Sequence, residues 1–437
     1  MLIKFFKFAL ILLFYQSPLY SKSKTLKDFN SHHLSNYFSG IVAYENNDNS
    51  KALKFFKSSK HLVKQYNFYL ENYIHALVLE GKVQEAASEI KQNLTNSNSN
   101  FFEAHLVLVV ESIKKKDYKK SKDHLQEALK FTNNNTFDKI ILETLKQYLY
   151  VFEEKEIPSR KNNFGDLSLI NEVFQRCHLD DKNTQSYFKN LINNKDNIRN
   201  KGADYSRYIF FYLNYLIEHN RHDEAKELVG SLNYLDSSSL VSQGKKWIED
   251  QKTEEFRKVF SCSNSNDVIA EFLFLVANLH SSQNDYKRSN FYLNISHYLN
   301  PKFQFNLSLL AENYFLNKNY LKTSKILRSF NKKDEFYYWF KLKKEAQIIS
   351  KEKNKDESLK FINLNFQKIK SPSIKIIFDI ANFNKDAKKY KNAIKYYDQV
   401  LSRVDTGSQL YAEILYRRGG SYERLGDYVN SDKDLLK

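Results

Sequence analysis

Small and large hydrophobic residues recur along the chain with a fixed spacing. A small residue is followed twelve positions later by a second small residue and, four positions after that, by a large apolar one. The pattern occurs six times, at Gly40/Ala52/Phe56, Ala277/Ser289/Leu293, Ala311/Thr323/Leu327, Ala346/Ser358/Ile362, Ala381/Ala393/Tyr397 and Gly419/Ser431/Leu435. In the five C-terminal copies, the second small residue of one copy and that of the next lie 34, 35, 35 and 38 residues apart. Because small residues are needed where two helices approach closely, the pattern predicts stacked antiparallel helical hairpins.

Three further segments keep only the second half of the pattern. They have the small and the large residue of the second helix, but a large residue stands at the first small position. These copies are Ala86/Ile90 with Ile74, Ser121/Leu125 with Val109, and Ala225/Val229 with Leu213. We interpret them as weaker copies of the same hairpin, which extends the repeats toward the N-terminus.

Polar turns and prolines mark where the predicted helices end. Asp285 and Asp427 each precede a tyrosine that opens the second helix of a hairpin. Pro301 and Pro372 lie between units, where one hairpin must end and the next must begin. Neither proline interrupts a predicted helix.

The period, and the order small, aromatic, small, large apolar and proline, resemble tetratricopeptide repeats (TPRs). The match is closest over 270–303 and 373–403, and 415–435 resembles a repeat of exported TPR proteins of alphaproteobacteria. The resemblance implies an all-α fold, a right-handed α-solenoid of helix-turn-helix repeats. The tryptophan that usually stands in the first helix of such repeats is not found in register here, since the chain has only Trp247 and Trp339. We therefore expect the superhelix to be irregular in its middle. The predicted divisions are N-terminal TPR-like repeats over 22–135, degenerate helical repeats over 136–265, and five TPR repeats over 266–437, the last apparently cut short.

Composition supports a helical protein and excludes common nucleotide-binding motifs. Ten glycines and four prolines are too few for the turns of a β-sandwich or barrel. No two glycines lie two positions apart and none begins G-x-x-x-x-G-K, so the dinucleotide and P-loop motifs are missing. The net charge of +17 has two interpretations: lysine-rich solvated faces produced by coding bias, or an anionic partner such as the envelope surface.

The first 21 residues have the layout of a secretory signal. A basic start with Lys4 and Lys7 precedes the apolar stretch 8–14, and a polar segment ends at Ser21. The apolar stretch is about half as long as a membrane-spanning helix. We therefore predict cleavage near Ser21 and export to the periplasm. The alternative is a membrane anchor formed by an uncleaved signal.

Candidate catalytic and metal-binding residues are few. Cys177 and His178 are adjacent, so on a helix their side chains point about 100° apart and do not pair as a thiol and its base. His219 and His222 have a spacing that can bind a metal, but the sequence shows no third ligand. We predict a non-enzymatic protein with no catalytic residue, no cofactor and no metal.

The two cysteines, Cys177 and Cys262, are 85 residues apart. In a regular solenoid this separation spans about two and a half repeats, which places the two Cα atoms beyond the ~7 Å limit for a disulfide. We therefore predict two free thiols, each buried as a small hydrophobic side chain.

In the TPR family, the first helix of each hairpin lines a concave groove that binds peptides or partner domains. Carried over by register, the resemblance places eleven residues on the groove side: Phe274, Asn278, Glu312, Phe315, Lys343, Gln347, Phe378, Asn382, Lys385, Tyr416 and Arg424. Amides among them could bond the backbone of an extended segment, and cations its carboxylates. The alternative is that they are ordinary surface or core residues of a solenoid.

These observations favour a non-catalytic scaffold that binds protein or peptide partners in the bacterial periplasm or cell envelope. A second interpretation is a positioning arm of an envelope or cell-wall enzyme, whose catalytic domain lies beyond Lys437 or in another chain. A third is a helical-repeat RNA binder, which the export signal opposes, so nucleic acid is not an expected partner. Because the chain ends inside the second helix of its last unit, we expect further repeats to follow, or dimerisation to cover that end.

Overall fold

A computed structural model describes residues 31–66, 68–93, 100–132, 136–159, 163–193, 206–232 and 238–436. Within these ranges the chain forms 23 α-helices and no β-strand. The predicted all-α fold of helix-turn-helix repeats is confirmed. The predicted signal sequence, 1–21, lies outside the described residues.

The N-terminal part contains three hairpins followed by a single long helix. The helices are α1 (Ser31–Glu45), α2 (Asn49–Ser58), α3 (Tyr69–Leu79), α4 (Val83–Asn93), α5 (Phe102–Lys114), α6 (Tyr118–Leu129) and α7 (Thr136–Glu154). The hairpins α1–α2, α3–α4 and α5–α6 contain the pattern residues Ala52, Ala86 and Ser121 in their second helices. Helix α7 packs against α6 and continues the stack.

In the described middle of the chain, 163–193, 206–232 and 238–259, there are six shorter helices. They are α8 (Asp166–Leu179), α9 (Thr184–Asn193), α10 (Ser206–Glu218), α11 (His222–Ser231), α12 (Ser239–Glu249) and α13 (Glu254–Val259). Helix α8 pairs with α9 and α10 pairs with α11, while α10 also packs against α9, α12 and α13. Between the units of Ser121 and Ala225, the described chain therefore places the single helix α7 and the hairpin α8–α9.

Five hairpins form the C-terminal part. Their helices are α14 (Ser265–Ser282), α15 (Tyr286–Leu299), α16 (Leu307–Leu316), α17 (Tyr320–Leu327), α18 (Glu335–Glu352), α19 (Lys355–Phe366), α20 (Ile374–Asp386), α21 (Tyr390–Leu401), α22 (Gln409–Arg424) and α23 (Tyr428–Leu435). Each hairpin contains one of the five C-terminal copies of the sequence pattern. Successive hairpins pack through the second helix of one and the first helix of the next, as α21 does against α22.

The small residues of the pattern lie where the two helices of a hairpin touch. Those of the second helices are all buried: Ala52, Ala86, Ser121, Ala225, Ser289, Thr323, Ser358, Ala393 and Ser431. At Gly40, an added Cβ atom would lie 2.8 Å from the ring of Phe56, so only glycine fits without movement. The hydroxyl of Ser358 donates to the backbone oxygen of Ala346 across its hairpin, at 2.7 Å. The sequence spacing therefore corresponds to a close approach of helices.

The turn inside a hairpin places one residue in the left-handed backbone region. In the hairpin α14–α15, Asn284 has a φ of 62°, and the carboxylate of Asp285 accepts from the N–H of Arg288 to cap α15. Positive φ recurs at the equivalent turns, at Asn47, Gly81, Lys116, Asn220, Lys318, Lys388 and Gly426. The cap and the left-handed residue together reverse the chain within three residues.

The hairpin α14–α15 folds back onto the N-terminal repeats. Helix α15 packs against α3, α4 and α5, and helix α14 packs against α5, α7 and α8. Both helices are buried along most of their length. Helices α3 and α5 are first helices, which the TPR resemblance places along the groove. The chain itself therefore covers the inner surface of its N-terminal repeats.

Polar contacts reinforce this fold-back on the neighbouring hairpin α16–α17. The ammonium of Lys322 lies 2.7 Å from a carboxylate oxygen of Glu80, and both side chains are largely buried. The buried hydroxyl of Tyr314 donates to the backbone oxygen of Leu79, at 3.1 Å. Because a buried polar group without a partner costs free energy, these bonds favour one register of the fold-back.

The prediction of two free thiols is wrong. Cys177 and Cys262 form a disulfide, with their Cα atoms 5.5 Å apart. The estimate from a regular solenoid fails because α14 packs on α7 and α8, which brings the segment before α14 beside the end of α8. Nδ1 of His178 also lies 2.9 Å from the backbone oxygen of Cys262. Closing a loop of 85 residues restricts the unfolded chain and contributes about 4 kcal/mol to stability.

Packing divides the described chain into a closed part and a linear part. One continuous hydrophobic core includes residues from Tyr37 to Ile348. Two smaller cores follow, one containing Trp339 and the other containing Ala393. Helix α18 still packs against α12, so only the last two hairpins, α20–α23, depend mainly on their nearest neighbours, as expected of a repeat array.

Replacement of Ala393 tests the hairpin contact in the linear part. Ala393 is fully buried, so Ala393→Leu should overpack the contact and destabilise the protein by about 1–3 kcal/mol. Hydrogen exchange should show lost protection in α18–α23 and retained protection in α1–α6. Ala412→Leu, at an exposed position of α22, is the matched control and should have little effect. A neutral Ala393→Leu, or a loss spread evenly along the chain, would contradict the assigned register.

Candidate protein-binding groove

Four first helices, α16, α18, α20 and α22, follow one another along the C-terminal part. Two clefts lie along them, with volumes of about 500 Å³ and 410 Å³. Lys355, Asp386 and Arg417 line both clefts, so the two are continuous. We call them together the C-terminal groove.

Seven of the eleven residues predicted from register line this groove. Phe315, Lys343, Gln347 and Asn382 line the larger cleft, and Lys385, Tyr416 and Arg424 line the smaller one. They come from four successive first helices because each lies at an equivalent position of its repeat. Local helical periodicity is therefore sufficient to locate this part of the surface.

Two predicted residues belong to the helix that folds back. The ring of Phe274, on α14, lies under the guanidinium of Arg207, 3.8 Å from the ring centre to the carbon of that group. Arg207 is itself held by Glu271, at 2.7 Å. Asn278 is exposed but lines neither cleft of the groove. Both residues occupy groove positions in the repeat register. Helix α14, however, packs against the N-terminal repeats instead of lining the groove, and the register alone does not reveal this.

Glu312 has a structural contact instead of an open position. Its carboxylate lies 2.5 Å from the ammonium of Lys344, which is only 5% exposed. The same ammonium lies 4.3 Å from the ring centre of Phe315. Burial lowers the pKa of Lys344, and the charge of Glu312 opposes that shift. Glu312 therefore stabilises a buried cation at the edge of the groove.

The side chain of Asn382 lies at the junction of α20 and α22. Its oxygen accepts from the hydroxyl of Tyr397 at 2.7 Å and from Arg417 at 3.2 Å. The predicted groove residue Phe378 packs beneath the same guanidinium, at 5.5 Å. Among the described residues nothing accepts from the amide nitrogen of Asn382, and the side-chain oxygen of Gln347 in the same cleft has no donor. The amide nitrogen of Asn382 is thus a free donor for the backbone of an extended peptide, whereas the Gln347 oxygen is buried and becomes an acceptor for a ligand only when its amide group turns toward the cleft.

Asp379 is a groove residue that the register did not identify. Its carboxylate accepts from the indole N–H of Trp339 at 2.8 Å and from the ammonium of Lys343 at 3.2 Å. It directly follows Phe378 in the sequence. The face of α20 that is directed toward the groove is therefore wider than a single residue position per helical turn. Counting both neighbouring positions of each first helix would have found Asp379 and Arg417.

Basic residues outnumber acidic residues in the groove. The basic ones are Lys343, Lys351, Lys355, Lys385, Lys388, Arg417 and Arg424, and the acidic ones are Asp379, Asp386 and Glu423. Among the described residues, only Lys343 and Arg417 of this basic set lie within 4 Å of a carboxylate oxygen. The unpaired cations favour an acidic ligand.

The histidine and cysteine candidates have structural contacts. Cys177 is part of the disulfide and is not a nucleophile. Nε2 of His219 lies 2.8 Å from the carboxylate of Asp180. Over the described ranges, no group of three His, Cys, Asp or Glu side chains is arranged to hold a metal ion.

Comparison with known proteins assigns no family. No protein-family model matches the sequence. No curated protein matches it either. Among solved structures, the chain is similar to yeast Tom70 (TM-score 0.31, 11% identity, covering 92% of this chain and 91% of that chain). It is also similar to the P58(IPK) TPR domain (TM-score 0.25, 12% identity, covering 92% of this chain and 91% of that chain). A third similar structure is the APC/C hetero-tetramer Cut9–Hcn1 (TM-score 0.31, 11% identity, covering 93% of this chain and 86% of that chain). These TM-scores are too low to support an assignment. The description of the fold as TPR-type hairpins therefore rests on the observed helix pairs and their buried small residues.

Substitutions at the Lys344 pair test the structural role of Glu312. Glu312→Gln leaves the buried ammonium without its counter-charge and should destabilise the protein by about 1–3 kcal/mol. Lys344→Met keeps the apolar stem over Phe315 and removes the buried charge, so it should cost clearly less. Urea denaturation of both variants measures the difference. If Lys344→Met is the more damaging change, Glu312 does not act by compensating a buried cation.

Proposed function

We propose that the chain is a non-catalytic scaffold that binds an extended, acidic segment of a partner protein in the C-terminal groove. The observation that carries this proposal is the difference between the two ends of the repeat array. The hairpin α14–α15 packs onto the inner surface of the N-terminal repeats and leaves one cleft of about 510 Å³ beside it, whereas the groove along α16, α18, α20 and α22 has no such cover among the described residues. An open face of stacked first helices is the extended surface that repeat proteins use for binding.

The groove chemistry supports an extended segment as the ligand. The amide nitrogen of Asn382 can donate to a peptide carbonyl, and the buried oxygen of Gln347 can accept from a peptide N–H once its amide group turns toward the cleft. Lys351, in the last turn of α18, and Lys355, the first residue of α19, line the same cleft as these amides. Acidic side chains of the ligand would meet these lysines, while Tyr416, which is 72% exposed, offers an aromatic face.

We further propose that the chain acts in the periplasm or at the cell envelope. Disulfides persist in oxidising compartments and are rare where thiols are kept reduced, so the Cys177–Cys262 bond supports export. The basic and apolar pattern before Ser21 supports the same location. Over the described ranges, the helices lack the combined length and apolarity needed to cross a bilayer.

Site-specific photo-crosslinking tests the groove as the partner site. A benzophenone amino acid replaces Tyr416 in the groove or, as the control, Lys395, an exposed residue of α21 outside both clefts. In cells that export the chain, irradiation should give discrete protein adducts from position 416. The control position should give none, because it faces solvent on a second helix.

Charge reversal then tests how the partner is recognised. The double substitution Lys351→Glu and Lys355→Glu should reduce the adduct at position 416 about tenfold, because it places two anions beside an acidic ligand. Lys391→Glu with Lys395→Glu, on exposed α21, makes the same change in charge and should leave the adduct unchanged. Equal adducts at both positions, or equal effects of the two reversals, would contradict the proposed site.

A further inference from the structure

A further cleft, separate from the two that form the C-terminal groove, lies between α12 and the hairpin α18–α19. Its volume is about 540 Å³, within the range of small-molecule sites in proteins. The only two tryptophans of the chain, Trp247 and Trp339, both line it, together with Leu342 and Ile369. We call it the tryptophan cleft. It shares no lining residue with the C-terminal groove.

The two indoles are held in place by their surroundings. Trp247 packs against Phe256 and Phe305, with ring centres 5.2 Å and 5.8 Å apart. The indole N–H of Trp339 donates to Asp379 at 2.8 Å. Both tryptophans are at most 5% exposed, so they present only fixed ring edges to the cleft, which form an apolar wall together with the half-buried Tyr338 and Ile369. A fixed wall binds a flat apolar group with little loss of side-chain entropy.

A buried amide supplies a hydrogen-bond donor to the same cleft. Gln243 is only 1% exposed, and its side-chain oxygen accepts from the backbone N–H of Phe336 at 3.4 Å. Among the described residues nothing accepts from its amide nitrogen, and Gln243 lines the cleft. A ligand atom that accepts a hydrogen bond would satisfy this group.

Unpaired cations surround the cleft. Five lysines line it, and Asp250 and Glu335 are its only acidic lining residues in the described part of the chain. Two of the lysines, Lys246 and Lys252, already bind the carboxylate of Asp250, at 2.9 Å and 3.1 Å. The other three have no carboxylate within 4 Å among the described residues: Lys332, Lys333 and Lys368. The free charges at the rim favour an anion.

We propose that the tryptophan cleft binds a small amphipathic anion, with its apolar body against the wall formed by the indole edges, Tyr338 and Ile369, and its charged group toward Lys332, Lys333 and Lys368. An acceptor atom on the body would take the free N–H of Gln243. Neither the TPR register nor the proposed partner groove accounts for this arrangement. The site therefore adds a small-molecule activity to a chain whose proposed role is to bind proteins.

Anilinonaphthalene sulfonate is a suitable probe because it combines a flat aromatic body with a fixed negative charge. Added to the folded, oxidised protein, it should bind saturably and quench the tryptophan emission by energy transfer. Because both indoles line the cleft, quenching shows that the probe lies within energy-transfer range of it, and the substitutions below distinguish the cleft from the nearby groove. Saturable probe fluorescence without quenching of the indoles would place the probe elsewhere and overturn the proposal.

Matched charge reversals test the anion requirement. Lys333→Glu with Lys368→Glu should weaken binding about tenfold, since two attractive charges at the rim become repulsive. Lys391→Glu with Lys395→Glu changes the net charge equally on α21, away from the cleft, and should alter the affinity by less than about twofold. All four lysines are exposed, so both variants should fold. Equal weakening in the two variants would show nonspecific attraction and overturn the proposal.

A neutral probe and the buried amide complete the test. Phenylnaphthylamine has a similar aromatic body without the sulfonate, and it should bind more weakly than anilinonaphthalene sulfonate. Its affinity should be the same for the wild-type protein and for the Lys333→Glu, Lys368→Glu variant. Gln243→Leu removes the free amide N–H and should weaken the binding of anilinonaphthalene sulfonate in the wild-type charge background. Because it also removes the acceptor of the buried Phe336 N–H, it should lower the thermal unfolding midpoint, so binding is compared well below that midpoint. Equally tight binding of the neutral probe would overturn the assignment of an anion site.

Discussion

The packing of the hairpin α14–α15 against the N-terminal repeats is the contact on which the arrangement of the whole chain depends. It covers the inner faces of α3 and α5, and it brings Cys262 beside Cys177. It also joins the N-terminal and middle helices into one hydrophobic core. Without this contact the hairpins would form an open stack, and the cysteines would lie far apart.

This contact also determines where a partner can bind. Repeats α18–α23 extend beyond the closed part, and their first helices, together with α16, keep an open groove with an excess of positive charge. The disulfide and the buried bonds of the fold-back make the closed part a rigid base for this arm. The tryptophan cleft lies where the middle of the chain meets the arm, at α12 and α18. Trp339 lines that cleft and donates to Asp379 in the groove, so one side chain touches both.

Local features of this fold were predictable from the sequence, because helical hairpins are local structures. The twelve-residue spacing of Ala381 and Ala393 reports the contact between two helices that are joined by a short turn. The same register places Lys343 and Gln347 on the groove, because they repeat a position within each hairpin. The proposed groove role of these residues stays a prediction.

The long-range features were not predictable in the same way. The fold-back joins helices separated by about 200 residues, and no periodic pattern records which surfaces meet at that distance. The error at Cys177 and the position of Phe274 both follow from this contact. The tryptophan cleft was also missed, since Trp247 and Trp339 belong to different parts of the chain and have no shared register.

Zero-length cross-linking of the monomer with a carbodiimide, followed by peptide mapping, tests the fold-back most directly. The reagent joins an ammonium to a carboxylate in contact with it, and Lys287 lies 3.3 Å from Glu45 although 242 residues separate them. Lys57 and Glu85, 2.7 Å apart in neighbouring hairpins, serve as the positive control. The structure predicts both links within one chain. Recovery of the control link without the Lys287–Glu45 link would contradict the fold-back.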